Sequence, residues 1–223
     1  CDFLERRLSL CVDTQERYSF AQKRKELMQS HNTMWLHIFE SICAYYYALV
    51  GQPEQVPTLF REHKLANVNF LAPCRPMMEL IENQVYLAQG AYAKVIGRSE
   101  GLLQLCQGMH YALAELHIRI QTAAAYAMLD KAAEAKPLLE QALQAAGADG
   151  FILPFVENYR YLRDLFSILP QTEQVGQITA LGKAYEARCA QIREQGARPA
   201  ALGQLTRREV EITQLMAQHL TNK

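Results

Sequence analysis

Residues 111–146, YALAELHIRIQTAAAYAMLDKAAEAKPLLEQALQAA, decide the fold. Apolar side chains recur here at three- and four-residue spacing, as helices with one buried face require. Asp130 divides the stretch, and Gly147 and Gly150 end it. The pattern predicts one helix over 111–129 and an antiparallel partner over 131–146.

The same layout repeats toward the N-terminus. Trp35, Ile38, Phe39, Ile42, Tyr46 and Leu49 mark a helix over 33–50, ended by Gly51. Pro53 suits the first turn of a short helix reaching about Lys64. A loop with Pro73 and Pro76 follows, then a helix over 77–89 stopped by Gly90, then its partner over 91–108. Each long helix carries a tyrosine four residues before the turn residue: Tyr47 before Gly51, Tyr86 before Gly90, Tyr126 before Asp130. The turn residues recur after 39 and 40 residues, the mark of a helical array. A lone hairpin cannot bury its apolar face, but stacked hairpins can. The turn residue must leave the right-handed helix at positive φ, which suits Gly and is tolerated by Asp.

Past the array, Pro154 opens a helix through Leu169, Pro170 closes it, and a polar helix covers 173–194. Gly196 and Pro199 mark a linker over 196–204. At the other end, Asp13 with Glu16 forms a capping-box pattern before a charged stretch to about Ser30. The fold class expected is all-α, with 1–195 as the helical-repeat domain.

The array resembles tetratricopeptide-type repeats. Ala123, Tyr126, Ala135, Leu139 and Ala142 fall where that repeat puts its small and large packing residues. Val56 and Val95 stand at the small-residue position of Ala135, and the period exceeds the family's usual length. The resemblance implies a right-handed superhelix with a concave inner surface. Of the run Tyr45-Tyr46-Tyr47, successive side chains point about 100° apart. In this register Tyr47 packs within its hairpin, Tyr46 supports it, and Tyr45 turns to the concave side. The same register puts Ser41, Gln84 and His117 there. Ser41, Tyr45, Gln84 and His117 are therefore the candidate effector site, suited to a small polar ligand or an extended peptide. Ordinary packing with a wetted edge is the competing reading.

The tail 205–223 reads LTRREVEITQLMAQHLTNK. Thr206 can cap a helix, and Glu209 can reach back to the cap's own N–H. Ile212, Leu215 and Met216 give an apolar stripe, His219 and Leu220 a turn, and Thr221 a second cap. Helix, tight turn and new cap make the front half of a helix-turn-helix. This tail resembles the opening of the LuxR-type DNA-binding domain at Leu205-Thr206, Arg208-Glu209, Ile212, Leu215, Ala217, Leu220 and Thr221-Asn222-Lys223. Thr213 and His219 depart from that family's usual Leu and Gly. Residues 147–169, GADGFILPFVENYRYLRDLFSIL, resemble the last helical unit of its large ATP-dependent members.

The resemblance implies a nucleotide-binding domain upstream, a helical-repeat sensor here, and a DNA reader of which only the start is present. We therefore expect a piece of a longer chain, as Cys1 at the start also suggests. By resemblance, Thr221, Asn222 and Lys223 would touch DNA phosphate, while base reading lies further on. DNA is then a partner of the complete protein and not of this stretch alone. A metabolite, a protein or a second copy of the chain are candidate partners of the array. The alternative to an effector sensor is a pure protein-interaction scaffold.

Composition sets the outer limits. Of 223 residues, 23 are Lys or Arg and 23 are Asp or Glu, so net charge is zero and a general polyanion binder is disfavoured. Half of the residues are apolar, which excludes disorder. The longest apolar run, Ile42 to Val50, has nine residues, half of what a bilayer span needs. The six cysteines show no CxxC spacing and read as free thiols of a cytoplasmic protein. There is no GxxxxGK[ST], HExxH, GxSxG or GxGxxG, so we expect no enzyme, no metal and no cofactor in this stretch. Gly97 and Gly101 form a GxxxG spacing, read as close helix packing.

Overall fold

The computed structural model describes residues 26, 33–147 and 149–196. Among them every regular element is helical. α1 is Thr33–Val50, α2 the single turn Thr58–Arg61, α3 Arg75–Ala88, α4 Tyr92–Gly108, α5 Ala112–Ala127 and α6 Ala132–Gly147. α7 (Leu153–Glu157), α8 (Tyr159–Ile168) and α9 (Glu173–Gly196) follow. The Asp13 helix start, the linker from 197 and the tail with Thr221, Asn222 and Lys223 lie outside the described residues.

The helix ends share one turn. Gly51, Gly90 and Asp130 have φ of 81°, 74° and 58°, the left-handed conformation expected of them. In each case the next residue's N–H reaches back five residues. Gln52 bonds the Tyr47 carbonyl at 2.8 Å, Ala91 that of Tyr86 at 2.9 Å, and Lys131 that of Tyr126 at 3.0 Å. This is the Schellman closure, which satisfies a carbonyl the helix would leave orphaned. The tyrosines stand four before the turn residue, at the position whose carbonyl accepts that bond. His110 has φ of 56° and Gly150 of 67°, and Tyr111 and Phe151 make the same five-residue back-bond, to Cys106 and Ala146. From Gly90 to Gly150 the left-handed residue thus recurs every 20 residues, once per helix rather than once per hairpin.

Two expected helices are broken. The stretch from Pro53 to Lys64 is a 3-10 turn at Pro53–Gln55 followed by α2. Pro57 has no N–H to continue a helix and holds Val56 extended, with φ −61° and ψ 131°. The stretch from Pro154 to Leu169 divides at Asn158, where φ is −102° and ψ 8°. There the Asn158 side chain donates to the Pro154 carbonyl at 2.9 Å.

α3 packs against α1 and α5, so these three form an inner row. α2 lies against α1 and α3, α4 against α3 and α5, and α6 against α5, which makes an outer row. Ala123, Ala124 and Ala125 have no exposed surface, and their small size lets several helices approach α5 closely. On α6, Ala135, Leu139 and Ala142 are buried as the periodicity requires.

The inner row is covered. α7 touches α5, α8 touches α5 and α6, and α9 packs on both and returns to α1. Arg193 Nη1 on α9 donates to the Val50 carbonyl at the end of α1, at 2.7 Å. Phe155, Leu162, Phe166, Ile178 and Ile192 are fully buried beneath this cover. Each contributes about 1.5–3 kcal/mol by leaving water. The closest approach is at Gly182 on α9, where a Cβ would overlap the Tyr159 side chain. Gly97 and Gly101, read as a packing pair, are exposed, and a Cβ at either would meet nothing. Among the described cysteines, Cys43 and Cys74 are half-buried free thiols and Cys106 and Cys189 are buried ones.

Candidate functional site

A cavity of about 440 Å³ lies between the inner row and α7. α1 supplies Ile38, Ser41, Ile42 and Tyr45, spaced to fall on one helical face. α3 supplies Met77, Met78 and Ile81, and α5 supplies Leu113 and His117, one turn apart. The fourth wall is Phe151, Leu153, Pro154 and Glu157, at and just before α7. Ile42, Met77, Leu113 and Phe151 are between 42% and 48% exposed, so large apolar side chains ring the opening. Such a contiguous apolar patch beside a cavity marks a binding site more often than an idle surface.

Polar groups in the walls are few. Ser41 Oγ donates to the Ile38 carbonyl at 2.6 Å, closing on its own helix. The Tyr45 hydroxyl donates to Glu157 Oε2 at 2.7 Å, within the range of a hydrogen bond to a charged oxygen. Glu157 is buried and is the one acidic residue in the lining, where neither Lys nor Arg appears. His117 is half-buried.

Three of the four residues expected on the inner surface, Ser41, Tyr45 and His117, therefore line one cavity. Gln84 does not reach it. All residues from Leu80 to Leu87 are buried, because α1, α4 and α5 pack around α3 and Asn158, at the break between α7 and α8, meets Gln84. Gln84 has no exposed surface, and its Nε2 donates to Asn158 Oδ1 at 3.1 Å. Its Oε1 accepts from Gln121 Nε2 at 2.9 Å, which also donates to the Leu80 carbonyl at 3.0 Å. The chain Gln121–Gln84–Asn158 thus ties α5 and α3 to the break between α7 and α8. The expectation of a polar concave wall fails for the same reason. The amides are used internally, and aliphatic side chains face the cavity.

Glu157 and Asn158 were missed by the sequence reading. Their signal was two polar residues inside an apolar run, LPFVENYRYL, read as one uninterrupted helix.

A second polar cluster joins α2, α3 and α4. The His63 ring stacks on Tyr86 with centroids 3.7 Å apart, and its Nε2 meets Gln89 Oε1 at 2.8 Å. Arg98 pairs with Glu79 and, at 2.6 Å, with Glu82. Burial holds the Glu82 carboxyl above its ordinary pKa even with the Arg98 charge beside it. The groups of this cluster bond one another between α3 and the outer row. Among the described residues no group of three His, Cys, Asp or Glu is placed to hold a metal ion. Nor is any described helix long and apolar enough to cross a membrane.

Compared with protein-family models, curated proteins and solved structures, the chain finds no match.

Proposed function

We propose that the chain is the effector-sensing part of a LuxR-type DNA-binding transcriptional regulator, with the cavity against α7 as its effector site. The observation that carries the sensing role is an apolar cavity of about 440 Å³, a size suited to a small molecule, on the inner row. The DNA-binding role rests on the tail 205–223 and its resemblance. On this reading the array is tetratricopeptide-like, and residues 205–223 begin a helix-turn-helix that the complete protein carries further. Thr221, Asn222 and Lys223 then contact phosphate, and ATP belongs to an upstream domain. The role of this region is differential binding and not turnover.

The position of α9 supports coupling. α9 is held on α7 and α8, and through Arg193 on α1, so it meets two of the cavity's walls. It is also the last described helix before the linker and the tail. A ligand that favours one arrangement of α7 against α1 therefore biases the element that leads to the DNA reader.

A second reading, a protein-interaction scaffold, is favoured by the exposed ring of Ile42, Met77, Leu113 and Phe151. One experiment separates the two. Leu113→Trp places an indole at the opening, on an exposed position where folding tolerates it. In the complete regulator the variant should keep its thermal stability and lose effector-dependent transcription. An unchanged response overturns the effector site. A variant that loses instead a partner protein seen by pull-down with the parent favours the scaffold.

A further inference from the structure

The chemistry of the lining narrows the ligand that the cavity can take. We infer that the effector is an uncharged apolar molecule, held by its hydrocarbon body and by no ion pair. This inference rests on the reading of the cavity as the effector site.

The wall is its first support. α1, α3, α5 and the segment entering α7 meet the cavity chiefly with aliphatic side chains, among them Ile38, Met78, Leu80, Ile81 and Leu153. Such groups offer no hydrogen bond, so a sugar or another polyhydroxylated ligand would lose its hydration uncompensated. A hydrocarbon suffers no such loss and gains by leaving water. At the opening, Ile42, Met77, Leu113 and Phe151 are still partly in water, and an apolar ligand seated among them covers them.

The second support is where the polar groups are spent. The Ser41 hydroxyl donates to the Ile38 carbonyl of its own helix, and the Tyr45 hydroxyl donates to Glu157. Each hydroxyl has one hydrogen to give. Tyr46, His117 and Glu157 also have partners within the protein. The third support is charge. No Lys or Arg lines the cavity, so a carboxylate or phosphate would enter without a counter-charge. The one carboxylate of the lining, Glu157, is already bonded to Tyr45, and a ligand cation would leave water for walls that are otherwise apolar.

The test uses the 223-residue chain at pH 7, where a carboxylic acid and an alkylamine are both ionised. Four probes share one body: butylbenzene, 4-phenylbutanol, 4-phenylbutanoate and 4-phenylbutylamine. Calorimetry should show butylbenzene binding at one site, the alcohol about tenfold weaker and each ion about a hundredfold weaker or less. Leu113→Trp should weaken butylbenzene, and Ile42→Trp, also at the opening, repeats the blockade where the first variant fails to fold. An ionic probe that matches or exceeds butylbenzene, and that the Trp variants still weaken, overturns the uncharged class and leaves the cavity standing. Binding that neither Trp variant changes, or no binding at all, overturns the effector site itself and this inference with it. The ranking of the four probes needs no substitution.

Discussion

The Tyr45 hydroxyl donates to Glu157 Oε2 at 2.7 Å, although the two residues are 112 positions apart. The bond joins the first described helix to the element that covers it. Tyr45→Phe keeps the ring and deletes the donor. The expected cost is about 2 kcal/mol, the range for a hydrogen bond to a charged group. Urea denaturation should show the midpoint fall with the slope unchanged, and an unmoved midpoint would show that the bond contributes nothing.

Gln84 should prove structural. Gln84→Leu leaves Asn158 Oδ1 without its donor and removes one acceptor from Gln121. A loss of about 2 kcal/mol follows from burying unmet polar atoms. The pair Gln84→Leu and Asn158→Leu should not be additive: removing both partners should cost about 1 kcal/mol less than the sum of the single losses. Strict additivity in a double-mutant cycle would break the proposed chain from α5 to the α7–α8 break.

Two glycines predict opposite signs. Gly182→Ala drives a methyl group into the buried Tyr159 side chain and should destabilise by about 1–3 kcal/mol. Gly97→Ala meets nothing on an exposed face of α4 and should stabilise by about 0.5–1 kcal/mol. Thermal melts of the two variants suffice. A stabilising Gly182→Ala would mean that α9 does not approach α8 as described.

Glu82 gives a pH signature. Burial raises its pKa in the folded state, so between the ordinary value of 4.5 and the raised one the folded chain holds more protons than the unfolded chain. Stability from this group is present at low pH and is lost as pH rises through that window. Glu82→Gln removes the titration. Compared with the parent, the variant should gain relative stability as pH climbs from 4.5, and a difference that is flat with pH contradicts the shift.

The helices and turns were legible because they are local. Tyr126 and Asp130 lie within one turn of each other, and the bond that closes α5 joins Lys131 to Tyr126. Apolar spacing located α3, α4, α5 and α6 to within about two residues at each end, the usual uncertainty of a helix terminus. The inner row could also be drawn from the register, which brought Ser41, Tyr45 and His117 to one surface. The cover could not. Whether Gln84 faces water or Asn158 depends on where residues 153–168 dock, and no spacing within the array contains that information. Nor did the run from Pro154 to Leu169 announce its break, because its trigger is one asparagine side chain reaching a carbonyl four residues back.

The bond from Arg193 to Val50 has a consequence for how the molecule comes apart. A stack whose units touch only their neighbours unzips from its ends, each unit melting at its own denaturant concentration. Here the last described helix is fastened to the first, across 143 residues, so that route is closed at the α1 end. A stack tied end to end in this way should come apart more nearly as one unit than an open one.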